Sequence, residues 1–280
     1  MNHTDLALEA HQQVHTGAGT LPGVRIQQQE EDDISITQIK IETDDAARRL
    51  EKPIGQYITL ELAALLRDPS AAPQRAGQVL GAQLAQLLGP APGPVLIVGL
   101  GNAAITPDAI GPRTLPYVLV TRHLRRRLPD LFGPLADCCA FAPGVLASTG
   151  LESAEIVRGI AQASGAGTLI AVDALAACEE KRLCCTVQLA DTGIVPGSGI
   201  GNTRTAFDQR TMGVPVIAVG VPTVISAGTL RGDPSQAGLI VTPSDIDARI
   251  AHMARILAAG INRALFPHLS EAEIAKLVAP

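Results

Sequence analysis

Thr168-Leu-Ile-Ala-Val-Asp173 is a continuous apolar run that stops on a carboxylate. A run with no polar alternation fits a strand covered on both faces, as in a parallel sheet. Val95-Leu-Ile-Val-Gly99, bounded by proline and glycine, reads the same way, and residues 185–190 and 214–221 supply two further strands. Between them lie helical patterns at 74–88, at 114–128 with Pro116 in its first turn, and at 153–164, entered through Thr149 and Glu152. This strand-and-helix rhythm predicts an α/β fold with a mostly parallel, doubly wound sheet flanked by helices.

Outside that block, Ile34 and Ile36, then Ile39 and Ile41, alternate as in a half-buried strand or hairpin arm, and 56–62 is a second strand. Residues 1–30 are polar, contain Gly17, Gly19 and Gly23, and read as a mobile leader. From Ser244 onward, Ile246, Ile250, Met253, Leu257, Ile261 and Leu265 form one stripe of a long amphipathic helix, a core or subunit contact. Ser270-Glu-Ala-Glu273 is a capping box for a short last helix. There is no internal repeat, and no linker splits the chain.

At 280 residues and 46% hydrophobic content the chain can bury a large core. A net charge of -5 without a long basic run argues against nucleic-acid wrapping. The dense cluster Arg122, Arg125, Arg126 and Arg127 reads as the solvated end of a helix. The first residues carry no basic region followed by an apolar core, so a cytosolic protein is expected. The uncharged stretch 211–230 is broken by Pro215, Pro222 and glycines and reads as a strand with a loop, with no membrane span. Five cysteines without a Cys-x-x-Cys pair, and six scattered histidines without His-Glu-x-x-His, support neither a disulfide framework nor a zinc site. No metal and no cofactor is expected.

In open α/β sheets the ligand crevice lies beyond the carboxyl ends of the strands. Three glycine-rich or acidic segments are expected there: 99–112, 173–176 and 191–202. Gly99-x-Gly101-x-x-Ala104 satisfies a dinucleotide fingerprint, yet Ile105-Thr-Pro-Asp108 stands where its helix should begin. Asp191-Thr-Gly193 matches the loop of pepsin-like proteases but occurs once, and Asp and Gly equally make a plain turn. Asp173, at the end of an apolar strand, is either a cap for the next turn or a functional carboxylate. Asp108 has the same two readings. Brought together at one crevice, two carboxylates raise one another's pKa and form an acid beside a base, or hold a divalent metal.

Taken in order, Val98-Gly-Leu-Gly-Asn102, Thr106-Pro-Asp-Ala-Ile-Gly-Pro112, Val120-Thr-Arg-His-Leu124, Pro143-Gly-Val145, Thr149-Gly-Leu-Glu152, Val172-Asp-Ala-Leu175, Asp191-Thr-Gly-Ile194 and Pro196-Gly-Ser-Gly-Ile-Gly-Asn202 resemble the germination proteases. Thr4-Asp-Leu-Ala-Leu-Glu-Ala10 and Glu31-Asp-Asp-Ile34 extend the resemblance over nearly the whole chain. Ala103-Ala104, and the shortness of the segment between Val224 and Val241, depart from the family pattern.

The resemblance implies an atypical aspartic endopeptidase that degrades small acid-soluble spore proteins in the spore core during germination. It also implies a sandwich fold similar to hydrogenase maturation proteases and a homotetramer. It assigns catalysis to Asp108 and Asp173, with Asn102, Asp191, Gly197, Ser198 and Asn202 shaping the substrate site. It further implies a zymogen that cuts its own Asp5–Leu6 bond, dividing the chain into a propeptide, 1–5, and a protease domain, 6–280. The alternatives are a metal-assisted maturation-type endopeptidase on the same fold, and a small-molecule-binding module using the turn at 99–104.

Overall fold

The computed structural model describes residues 4–14, 21–63, 72–90, 92–200 and 204–278. Its centre is a nine-stranded sheet built from β1 (Val24–Glu31), β2 (Ile34–Ile41), β3 (Gly55–Glu61), β4 (Val95–Gly99), β5 (Cys138–Phe141), β6 (Thr168–Ala177), β7 (Thr186–Ala190), β8 (Val216–Ser226) and β9 (Ile240–Val241). The order is β1-β2-β3-β7-β8-β6-β4-β5, with β9 added to the end of β8. Strands β5, β4, β6 and β8 run parallel to one another. The pairs β1–β2, β2–β3, β3–β7 and β7–β8 are antiparallel. The expectation of a mostly parallel sheet therefore holds for the half that carries β4, β6 and β8, and the other half is a meander joined to it through β7.

The helices are α1 (Ala7–Val14), α2 (Asp44–Leu50), α3 (Ala72–Leu88), α4 (Ile110–Thr114), α5 (Arg122–Arg127), α6 (Pro129–Phe132), α7 (Leu146–Thr149), α8 (Ser153–Ser164), α9 (Gln209–Met212), α10 (Ala227–Arg231), α11 (Ile246–Leu265) and α12 (Glu271–Val278). Successive strand residues point to opposite faces. Ile170 and Val172 of β6, with Val187, Leu189, Val219 and Val221, face a core covered by α3 and α11. The predicted stripe of α11 from Ile246 to Leu265 is buried there. On the opposite face Leu169 and Ala171 pack under α8, and Ile39, Ile41 and Tyr57 pack under α1 and α2. Asp173 has the parity of Leu169 and Ala171, so it points into the gap between these two groups. The capping box at Ser270 is formed, with Ser270 N–H donating to Glu273 Oε2 at 2.8 Å.

Four sequence readings need correction. Residues 4–14 and 21–30 are not a mobile leader. Leu6 and Ala7 are fully buried, α1 lies on the sheet, and β1 is a strand; the apolar stretch that anchors them is too short to show as a periodicity. The helix expected at 114–128 is interrupted: Leu115–Tyr117 is a 3-10 turn, and the chain then runs extended to α5. Buried Asn262 of α11 holds this segment by accepting from Leu119 N–H and donating to Tyr117 O, both at 2.8 Å. Arg122 is not a solvated helix end: it pairs with Asp137 at 3.0 Å and donates to Ser164 O. Finally, β6 does not stop at Asp173 but continues to Ala177 along an equally extended β8. The run of small residues after Asp173 gave no strand signal of its own.

The uncharged stretch 211–230 is strand β8 with short flanking helices, and no described helix is long and apolar enough to cross a membrane. The cysteines are all free, with Cys138 and Cys184 buried.

Candidate active site

β4 stops at Gly99, opposite Val172, while β6 runs on to Ala177. Beyond Leu100, whose N–H still bonds Val172 O, no described strand pairs with β6 on its β4 side. The chain leaving β4 turns away over this opening. Gly101, at φ 105°, lies so close to the Asp108 carbonyl that a Cβ there would collide with it. Gly111 of α4 likewise sits against the backbone of Leu100 and Val172, bringing the helix directly onto the strand ends. The glycines of this segment thus serve close backbone packing around a carboxylate, and the dinucleotide helix is absent, as its spacing foretold.

The resulting cavity is about 370 Å³ and takes in Asp108, Asp173, Asp5, Gly197 and Arg204. Asp108 ends the 3-10 turn Thr106–Asp108, which Thr223 of β8 pins by donating to Pro107 O at 2.7 Å. Its Oδ2 accepts from Asn102 N–H at 2.8 Å. Its pKa is raised overall, because burial pushes it up by more than the Asn102 N–H and the nearby Arg204 charge pull it down. Asp173 is 3% exposed; Oδ1 accepts from Ala174 N–H at 2.9 Å, and Oδ2 has no hydrogen-bond partner among the described residues. Its pKa lies well above the usual carboxylate range, first through burial and then through the Asp108 charge. Both carboxyls are thus raised, Asp173 the further, and only Asp108 has both a main-chain donor and a nearby cation favouring its charged form.

Residues of the N-terminus fill part of this cavity. The Asp5 carboxylate accepts from Ala176 N–H at 2.8 Å and from Ser198 Oγ–H at 2.5 Å, and Asp5 N–H donates to Ala176 O at 3.0 Å. Leu6 is buried behind it. Helix α1 is locked to the body by an ion cluster in which Arg182 meets Glu9 at 3.2 Å, both side chains 2% exposed, and reaches Glu61 and Glu179.

The structure brings together Asp108, Asp173, Asn102, Gly197, Ser198, Asp5 and Leu6. Asn102 contributes its main-chain N–H, while its side chain accepts from Ala104 N–H and shapes the turn. Asn202 lies outside the described residues. Asp191 is not in the cavity. Because β7 runs antiparallel to β8, its carboxyl end points away from the crevice, and Asp191 Oδ1 instead accepts from Gln56 N–H at 2.7 Å at the start of β3. The chain returns to the cavity only after Ile194 has bridged to Phe207.

Sequence reasoning missed Gln188 and Lys52. Lys52 Nζ donates to Thr4 O at 2.8 Å, and burial lowers its pKa. Gln188 is 7% exposed and binds the N-terminal segment twice. Its signal is a carboxamide between Val187 and Leu189 in the short strand Thr186-Val-Gln-Leu-Ala190, the same kind of signal that marks Asp173. Among the described residues, no group of three or more His, Cys, Asp or Glu is arranged to hold a metal ion.

Comparison with known proteins places the chain as a whole. Residues 1–236 match the family model described as germination protease. The germination protease of Caldanaerobacter subterraneus subsp. tengcongensis is 38% identical over 319 aligned positions, covering 98% of this chain and 97% of the relative. That of Clostridium acetobutylicum is 36% identical, covering 98% of both chains. That of Bacillus cytotoxicus is 39% identical over 82% of this chain and 65% of its own length. On a family match across most of its length and relatives aligned nearly end to end, the chain belongs to the germination protease family, a family of peptidases.

Proposed function

We propose that this peptidase is a spore endopeptidase, made as a zymogen, that hydrolyses small acid-soluble spore proteins during germination through the Asp108–Asp173 pair. The observation that carries the reading is the buried Asp173 carboxyl, whose Oδ2 has no partner among the described residues, beside a better-solvated Asp108 in a cavity already entered by an acidic residue of the chain itself. Asp108, as the carboxylate, takes a proton from water while the water oxygen bonds to the carbonyl carbon. The carbon–nitrogen bond then breaks, and the Asp173 proton passes to the leaving nitrogen. Proton return from Asp108 to Asp173 resets the pair.

In cis the bond is Asp5–Leu6, so that residues 1–5 are the propeptide and 6–280 the protease. The enzyme works as a homotetramer in the spore core, on protein rather than nucleic acid. Ser198 and the Ala176 N–H receive the acidic side chain before the cut, with Gly197 and Asn202 in the loop beside it.

The test is to incubate the full chain, and a chain starting at Leu6, with small acid-soluble spore proteins and to sequence the new ends. Cleavage after acidic residues is expected, and none by either form sinks the reading. Activity lost to a chelator and restored by a divalent metal would move the mechanism to metal-assisted hydrolysis.

A further inference from the structure

From Thr4 O to Ala7 N–H every main-chain polar group of the N-terminal strap is engaged. Thr4 O takes Lys52 Nζ, Asp5 N–H gives to Ala176 O, Leu6 N–H gives to Thr4 Oγ1, and Leu6 O accepts from Ala10 N–H. The two groups on either side of Leu6 go to one side chain. Gln188 Nε2 donates to Asp5 O at 3.0 Å, and Gln188 Oε1 accepts from Ala7 N–H at 2.7 Å. A residue of a parallel strand makes this same pair of bonds with its own N–H and C=O to the neighbours of the residue it faces. The carboxamide of Gln188 therefore does for Leu6 what a strand would do, and it reads main chain only.

Sheet register explains why this side chain stands where it does. Asp173 of β6 and Gln188 of β7 are both paired with Gly220 of β8. Partners in register point to the same face, so Asp173 and Gln188 stand on either side of a residue that has no side chain. The Leu175 side chain leans over Gly220, where a Cβ would meet it. The strap crosses above.

We infer that Gln188 is the peptide clamp of this site, gripping the main chain on both sides of the residue after the cut and polarising the carbonyl of the bond that is cut. The inference rests on the reading that Asp5–Leu6 is cleaved by the Asp108–Asp173 pair. A donor on the carbonyl oxygen strengthens as that oxygen gains charge in the tetrahedral intermediate, so Nε2 lowers the barrier, while Oε1 sets the register of the chain.

The isosteric Gln188→Glu variant keeps the acceptor for Ala7 N–H and removes the donor; Gln188→Met removes both. In the full chain, followed by intact mass, Gln188→Glu slows loss of residues 1–5 by about 100-fold or more, while the Ala7 amide keeps its protection from hydrogen exchange. Gln188→Met slows the cut and also loses that protection. A Gln188→Glu chain that cuts within about threefold of the parent overturns the clamp. Asp173→Asn with Gln188 intact reports on the acid–base pair alone, so the two readings fail separately. If the parent chain leaves Asp5–Leu6 uncut, that bond assignment falls, and the clamp is judged on small acid-soluble spore proteins. There, a fall in kcat with KM held supports it, and an unchanged kcat in Gln188→Glu overturns it.

Discussion

The two halves of the sheet treat their strand ends differently. In the meander, β1, β2 and β3 are 8, 8 and 7 residues long with registers that run nearly end to end, and every residue of the shorter β7 is paired to β3. In the parallel half, β6 and β8 overrun β4 and β5 by several residues, and the overrun is where Asp173, Ala176 and the cavity lie. Matched ends make structure; unmatched ends leave backbone groups for a ligand. Two of the acidic residues that attract notice in the sequence fall one in each half. Asp191 caps β3 in the meander, and Asp173 stands in the overrun with its Oδ2 unpaired among the described residues.

The sharpest break of this comparison is Asp173→Asn. Loss of an acid–base group costs about 10²- to 10⁴-fold in rate, so turnover of a protein substrate should fall by that much while the fold persists. Stability should move the other way. The Asp173 carboxyl is raised in the folded chain, so the stability linked to it is complete below the ordinary carboxylate value and is lost as pH rises through the raised one. The Asn variant has no such loss, and its melting temperature should gain on the parent as pH increases. A constant offset across pH would show that Asp173 does not hold a proton in the fold.

Arg182→Met probes the strap from its anchored side. Glu9, buried with Arg182, would be left without its cation, at a cost of about 3–5 kcal/mol in urea unfolding. A cost as small as that of an exposed pair would mean that the cluster does not fix α1. Asp191→Asn should do least: it weakens one exposed hydrogen bond to Gln56 N–H, about 1 kcal/mol, and leaves the cleavage rate unchanged. A large loss of activity there would erase the distinction between the two halves.

Much of this is legible in the sequence. The apolar runs at Val95 and Thr168 gave the buried strands, and the α11 stripe gave its covering helix, because continuous burial and helical spacing are local patterns. Asp108 and Asp173 were legible as carboxylates in places where charge is costly. What local pattern does not carry is direction and partner. Asp191 was misplaced because nothing in its neighbourhood says that β7 runs against β8. Gln188 was passed over because its meaning depends on a strap far away in sequence. The extension of β6 past Asp173 was hidden because Ala174, Ala176 and Ala177 are strand residues only by virtue of β8 beside them.

An unpaired strand edge at the rim of a protein is an invitation to aggregate, since any other edge can dock on it. Here the unpaired stretch of β6 lies inside the sheet, at the floor of a crevice walled by the turn at Asp108 and the loop at Gly197. A folded neighbour cannot bring its own edge down to that floor. A stretch of chain free of strand partners can, as the strap does where Asp5 engages both main-chain groups of Ala176, so the floor is open to loose main chain and closed to a sheet edge.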